Sequence, residues 1–315
     1  MNTYDMQDGM AVIIGASSLD VIGRLENKLQ PKVSNPSVIR TSFGGVARNV
    51  AENLARLGQS VSLLSVVGKD RIGDELVNHT QQAGVDMSCV HRTDLFPTGF
   101  YMGVLDESGN RKFAFDDMRI SSHLSEAYIT YNEELFNQAS LVFIDANVPE
   151  ASLRRIIEIA RYLNIPICAD PTSVVLSPHL FPYLKDINIL VPNSQEASAL
   201  IKKKIDPANV DEGIAAARKL VAMGVEEVFI SIGDKGICYA SSETSGHIPG
   251  IQTQVVDPTG AGDALTAAVL FSHLNGIPLD DAARLAVSAA TITVRHQGTV
   301  YPGLNLQLLY DELSI

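Results

Sequence analysis

Cysteine is scarce in this sequence: three residues among 315, Cys89, Cys168 and Cys238, far apart and odd in number. Without a C-x-x-C pair there is no thiolate metal centre to expect, and a reducing compartment is the simplest setting. Basic residues are outnumbered, 24 Lys and Arg against 36 Asp and Glu, for a formal net charge of −12. So acidic a chain lacks the basic patch that a phosphodiester backbone requires, which argues against a nucleic-acid partner. It leaves room for a nucleotide held by local backbone N–H groups. No apolar run reaches the roughly 18 residues of a membrane span. The N-terminal stretch MNTYDMQDGM carries two acids and no apolar run. Neither a membrane contact nor a secretory leader is expected, and the expected location is the cytoplasm. Three nucleotide signatures are also missing. There is no G-x-x-x-x-G-K-[ST] and no H-R-D with D-F-G, and GASSLD after the first apolar stretch is not G-x-G-x-x-G. These absences exclude a P-loop kinase, a protein kinase and a Rossmann dehydrogenase in turn.

What is present is apolar mass in an ordered pattern. Hydrophobic residues make up 46% of the chain, enough to bury a full core without disulfides. Val12 to Ile14 reads as a short buried strand. Residues 19–42, with Pro31 and Pro36, read as extended and edge-like. From Gly45 to Leu57 apolar residues recur at helical spacing until Gly58 stops them. VSLLSVVG reads as a strand, and 71–83 as a helix closed by Gly84. TGFYMGVL and RKFAFDDM flank DESGN, a hairpin signal in which Gly109 and Asn110 supply left-handed positions. Beyond it LVFIDA, IPICAD, INILVP and VEEVFISIG are apolar strands separated by helical stretches such as 150–163 and 209–223. Alanine-rich helices are expected over 260–275 and 279–296. Buried strands alternating with helices predict an α/β fold, a mostly parallel sheet covered by helices on both faces. The expectation is one domain over 1–315, with a small β lid built from about 17–43 and 96–120.

Four segments carry chemistry. Asp257-Pro-Thr-Gly-Ala-Gly-Asp263 is followed at once by a helical run, and glycines at a helix start let an anion approach free N–H groups and the helix dipole. A carboxylate beside such a site suits the task of accepting a proton from an attacking hydroxyl. Spacing alone leaves open a glycine-rich turn with Asp263 as a helix cap. Ser42-Phe-Gly-Gly-Val-Ala-Arg-Asn49 again opens a helix; Asn49 can both donate to and accept from hydroxyls, or be merely solvated. Asn193-Ser-Gln-Glu196 offers an amide and a carboxylate one turn apart, suited to hydrated Mg²⁺ or to plain capping. Ser231-Ile-Gly-Asp-Lys-Gly236 is a glycine turn at a strand end.

In their order along the chain, these segments resemble the PfkB (ribokinase-like) family of carbohydrate and nucleoside kinases, from about Val12 to Tyr301. The resemblance implies a ribokinase-like fold and transfer of the γ-phosphoryl group of ATP to a hydroxyl, with Asp263 as base and Gly260, Ala261 and Gly262 as anion hole. It implies that Asp20 holds substrate hydroxyls, with Gly44, Gly45 and Asn49 beside it. Asn193 and Glu196 would organise Mg²⁺ and its waters, and Ser231, Gly233 and Gly236 would border ATP. Asp257, Thr259 through its carbonyl, and Gly298 would form a monovalent-cation site, for K⁺. Ser18 departs from the asparagine that many relatives carry two residues before the aspartate. An open-edged lid further predicts a homodimer through it.

The stretches FAFDDMRIS, SNPSVI and GGVARNVAENLARLG resemble the bacterial pseudouridine kinases of that family. This implies a ribose 5′-hydroxyl as acceptor. Pseudouridine differs from uridine by a free N1–H, which a lid carboxylate could accept and uridine could not offer. Asp116 and Asp117 are the candidates, with Thr98 and the apolar Phe100 or Met118 lining the base. Asp116 stands where the family reading expects an asparagine. Other expected acceptors of the same chemistry are ribose-type sugars and other nucleosides.

Overall fold

The computed structural model describes residues 9–109 and 111–313. The first eight residues of the N-terminal stretch, and Asn110 of the expected hairpin turn, lie outside them. The chain runs through β1 (Met10–Ile14), β2 (Ser18–Leu25), β3 (Ser37–Gly44), α1 (Val46–Arg56), β4 (Ser60–Leu64) and β5 (Val66–Gly68). There follow α2 (Arg71–Gln82), β6 (His91–Thr93), β7 (Gly99–Leu105), β8 (Arg111–Asp117), α3 (Glu126–Tyr131), β9 (Ala139–Asp145) and α4 (Glu150–Leu163). The second half contains β10 (Ile167–Asp170), β11 (Ile189–Leu190), α5 (Ser194–Ile201), α6 (Val210–Ala222), β12 (Glu227–Ser231), β13 (Ile237–Ala240) and β14 (Ser245–Ile248). It ends with α7 (Ala261–Leu274), α8 (Leu279–Val294) and α9 (Leu306–Leu313).

Eight strands form the central sheet in the order β14-β13-β12-β11-β10-β9-β1-β4. From β12 to β4 every pairing is parallel, while β13 and β14 add an antiparallel edge. Ala11 to Ile14 of β1 are all buried, and their side chains alternate between two cores. Ala11 and Ile13 join the core packed against α1, α7 and α8, and Val12 and Ile14 join the core packed against α4, α5 and α6. A strand covered on both faces must be apolar at every position, and that is why these segments read as continuous apolar runs. Among the described residues no helix is long and apolar enough to cross a membrane.

A second sheet of four strands, β3-β2-β7-β8, stands off the first. It contains both stretches that broke the α/β order in the sequence. β2 pairs antiparallel with β3 and parallel with β7, and β7 pairs antiparallel with β8. VSLLSVVG does not run on as one strand. The chain leaves the central sheet after Leu64, and β5 pairs with β6 in a separate two-stranded ladder. Ser65 marks the break and bonds its hydroxyl to the Gly15 carbonyl at 2.6 Å.

Candidate active site

Gly260 caps the start of α7 with φ 79°, and a Cβ there would lie 1.8 Å from the Thr299 carbonyl oxygen, so the turn admits only glycine. No side chain caps this helix. Its first N–H groups are therefore free for a ligand and are reinforced by the helix dipole. Where a Cβ would stand on Gly262 there is open space. Asp263 follows, with its carboxyl pushed up to about 7. Burial is the main cause; a hydrogen bond from Asn49 and the charge of Arg48 oppose it, while Asp20 and Asp145 reinforce it. A carboxylate poised near neutrality can take a proton from a hydroxyl and give it up again.

Asn49 on α1 donates its amide N–H to Asp263 Oδ2 at 2.6 Å. The other end of that amide, Asn49 Oδ1, accepts a hydrogen bond from Arg48 Nη2. The sequence reading passed over Arg48, although it lies within GGVARN. On a helix, a buried arginine and a solvated one look alike until packing is known.

Asp20 on β2 is 8% exposed and accepts a hydrogen bond from the Ser18 hydroxyl at 2.8 Å. Burial pushes its carboxyl up, with Ser18 and Arg48 working against that. Ser18, the departure noted in the sequence, thus still steadies Asp20. A Cβ on Gly44 would lie 2.0 Å from Asp20 Oδ1, so the glycine is what lets this carboxylate sit against the backbone. Gly45 caps α1 with φ 91° and offers no side chain. The missing cap comes from Asp145 at the end of β9, which is 0% exposed. Its Oδ2 accepts from the N–H groups of Ala16 at 2.8 Å and Ala47 at 3.1 Å. One carboxylate therefore fastens both roots of the β2–β3 excursion. The sequence held a signal for it: an acid ending an apolar parallel strand, where α/β sheets place their sites.

Further along the central sheet, Asn193 caps α5. Its Oδ1 accepts from Gln195 N at 2.9 Å and Glu196 N at 3.0 Å, and Glu196 Oε2 accepts from Asn193 N at 2.9 Å. This is a capping box. Asn193 is bridged to Ser231 across the sheet, so those two motifs meet. Gly233 (φ 66°) opens onto free space, whereas a Cβ on Gly236 would lie 2.1 Å from the Ile248 carbonyl oxygen. Burial raises the Glu196 carboxyl. Asp170, at the end of β10 and unremarked in the sequence, is pushed well up by burial and then by the charges of Glu196, Asp263 and Asp145. Among the described residues no three His, Cys, Asp or Glu side chains could hold a metal ion between them. These carboxylates fit a divalent ion carried on phosphates and held through water. Asp257 knits two turns together: Oδ1 accepts from Thr259 N at 2.9 Å and Oδ2 from Gly298 N at 3.3 Å. A carboxylate between two backbone turns suits a monovalent cation.

Register separates the residues expected to contact the base. Asp20, Tyr101 and Asp116 are cross-strand neighbours, so Asp116 shares the face of the second sheet that carries Asp20. Asp117 and Phe100 fall on the opposite face, and Asp117 binds Arg119 at 2.8 and 2.6 Å. Met118 comes to the Asp20 side, its sulfur 3.0 Å from where a Cβ on Gly99 would stand. Thr98 is buried, and its hydroxyl donates to Asp70 Oδ1 at 2.8 Å and accepts from Gly68 N at 3.0 Å. Its polar group is committed to holding the start of α2.

The chain also resembles known proteins in sequence and in backbone. Residues 8–305 match the family described as pfkB family carbohydrate kinase. The chain is 32% identical over 299 residues to the pseudouridine kinase of Escherichia coli strain K12, covering 94% of this chain and 93% of that one. It is 27% identical over 299 residues to the ribokinase of Schizosaccharomyces pombe, covering 91% and 92%. In backbone it resembles the Arabidopsis thaliana ribokinase complexed with ribose and ATP, with a TM-score of 0.84 at 22% identity over 98% of this chain and 100% of that one. With the family model spanning both glycine segments, this chain belongs to the pfkB family of carbohydrate kinases.

Proposed function

We propose that this kinase transfers the γ-phosphoryl group of ATP to the 5′-hydroxyl of pseudouridine. The observation that carries the choice of acceptor is Asp116: it shares the Asp20 face of the second sheet, and a carboxylate there can accept the N1–H that uridine lacks. The 32% identity to an E. coli pseudouridine kinase supports the same choice.

Asp20, with Gly44, Gly45 and Asn49 around it, holds the ribose hydroxyls. Asp263 accepts the 5′-hydroxyl proton as the new bond from O5′ to the γ-phosphorus forms and the bond to the β-phosphate oxygen breaks, releasing ADP. The N–H groups at Gly260, Ala261 and Gly262 meet the charge gathering on the transferring group. Asn193, Ser231, Gly233 and Gly236 line the phosphates and ribose of ATP. Glu196 would hold Mg²⁺ through water, and that ion supplies neutralisation of the phosphate oxygens. Asp257, Thr259 and Gly298 would hold K⁺ behind the anion hole. The second sheet acts as the lid, and closure excludes the water that would otherwise take the phosphoryl group. Its apolar, outward-facing residues, Ile39 (67% exposed) and Phe115 (62%), serve a homodimer contact.

A ribokinase-type sugar acceptor is the second reading. It is favoured by the exposure of Asp116, which can contact a base only after closure.

The test is release of ADP by purified protein with Mg²⁺, K⁺ and ATP across pseudouridine, uridine, adenosine, inosine and ribose. Pseudouridine well ahead of uridine supports the assignment. Ribose in the lead retains Asp263 as base and discards the nucleoside.

A further inference from the structure

Arg48 is only 1% exposed, a guanidinium buried within the domain, and its donors fan out to five acceptors. Nε donates to Gly44 O at 3.1 Å and Nη1 to Glu52 Oε2 at 2.5 Å. Nη2 reaches Phe43 O at 2.8 Å, Thr299 Oγ1 at 3.3 Å and Asn49 Oδ1. Phe43 and Gly44 end β3, the edge strand of the second sheet. Thr299 donates its own hydroxyl to Phe43 O at 2.5 Å, and its carbonyl is the atom that excludes any side chain at Gly260. The covering sheet, the turn behind the anion hole and the amide that touches the base therefore meet at one side chain. Lysine could not replace it, because a point charge cannot span acceptors spread around a planar fork.

The charge is balanced. Burial raises the Glu52 carboxyl, but Arg48, Arg56 and His79 together hold it below its ordinary value. Arg56 donates to Glu52 Oε1 at 3.0 and 2.6 Å, and His79 Nε2 stands 3.5 Å from Oε2. Buried ion pairs add little stability over well-packed apolar side chains. A network of this size beside the reacting centre therefore asks for a role other than stability.

We propose that Arg48 is a positioning residue for phosphoryl transfer: it orients Asn49 so that the amide N–H points at Asp263, and it ties that pair to the covering sheet and to the turn behind the anion hole. This rests on Asp263 being the base. Asp263 is faced by Asp20 from β2 and Asp145 from β9, which disfavour its ionised form, and by Asn49 and Arg48 from α1, which favour it, while the charge of Asp263 in turn raises Asp170 on β10. Arg48 thus sets where the base points and offsets part of the upward push that burial gives its carboxyl.

The experiment compares Arg48→Lys with the charge-neutral pair Arg48→Met/Glu52→Gln, which leaves neither buried charge unpaired. The full chain is used with ATP and its best acceptor, with folding checked by circular dichroism. For Arg48→Lys, kcat falls by about 10- to 100-fold while KM for the acceptor stays within about threefold, and the acid limb of the pH profile stays in place. For the pair, kcat falls by about 100-fold and the acid limb moves up by roughly half a pH unit or more. A merely structural role would lower the active fraction without moving that limb. A folded double variant whose acid limb matches the parent's overturns the proposal. Separately, an Asp263→Asn enzyme that keeps its turnover places the failure in the base assignment rather than in Arg48.

Discussion

Replacing Asp263 by asparagine should slow the enzyme and at the same time stabilise the protein, by an amount that depends on pH. The fold lifts this carboxyl from an ordinary value of 3.8 to about 7, chiefly by burial. Between those two values the folded chain holds a proton that the unfolded chain has released. Stability therefore falls as pH rises through that window and stays flat above it. At about 1.4 kcal/mol per pH unit, the shifted Asp263 costs roughly 4 kcal/mol at pH 8, where it is ionised, and about 1.6 kcal/mol at pH 5, where it stays protonated in the folded chain. Asparagine keeps the shape, carries no charge, and can offer its carbonyl to the Asn49 amide that now donates to Asp263 at 2.6 Å. With about 2 °C of Tm per kcal/mol for a chain of this size, Asp263→Asn should melt about 8 °C higher at pH 8 and about 3 °C higher at pH 5. Turnover should fall by roughly 10²- to 10⁴-fold. Differential scanning fluorimetry at both pH values, beside an ADP-release assay, measures everything needed. An equal gain at pH 5 and pH 8, or no gain at pH 8, would refute the reasoning.

In the parent enzyme, kcat/KM should decline as pH drops below about 7, because protonated Asp263 cannot act as base; a flat profile down to pH 5 contradicts this. Asp116→Ala should lower pseudouridine efficiency by roughly tenfold or more relative to ribose, whereas Asp117→Ala should leave that ratio within about twofold, as steady-state kinetics on both acceptors will show. Gly260→Ala puts a Cβ 1.8 Å from the Thr299 carbonyl at a positive φ, so it should lose most of its turnover and melt several degrees lower. Thr98→Val leaves Gly68 N and Asp70 short of a partner and should cost about 1–3 kcal/mol in a denaturant titration.

Much of the fold was legible because period and punctuation agreed. The helix expected over 150–163 is α4 at those bounds, ending in left-handed Asn164, and the apolar strands expected after residue 139 all lie in the central sheet. Strands β13 and β14 were not legible. They are four residues each, and their place is set by pairing with β12 rather than by any pattern of their own. In the site, residues with an unusual backbone stood out: Gly44, Gly45, Gly260, and the acids and amides beside them. Arg48, Asp145 and Asp170 did not, because burial and partner choice make them what they are. Register likewise separated Asp116 from Asp117, adjacent in sequence and on opposite faces in the sheet.

The bond from Asp145 to both Ala16 and Ala47 has a consequence for how this scaffold can diversify. Because a single carboxylate holds the entry and the exit of the β2–β3 hairpin together, the chain between them is a loop closed at its base. Doubling the length of such a loop adds only about 0.6 kcal/mol of closure entropy. Residues 26–36, which join β2 to β3, can thus be lengthened, shortened or exchanged while Asp20, Gly44, Gly45 and Asp263 keep their places.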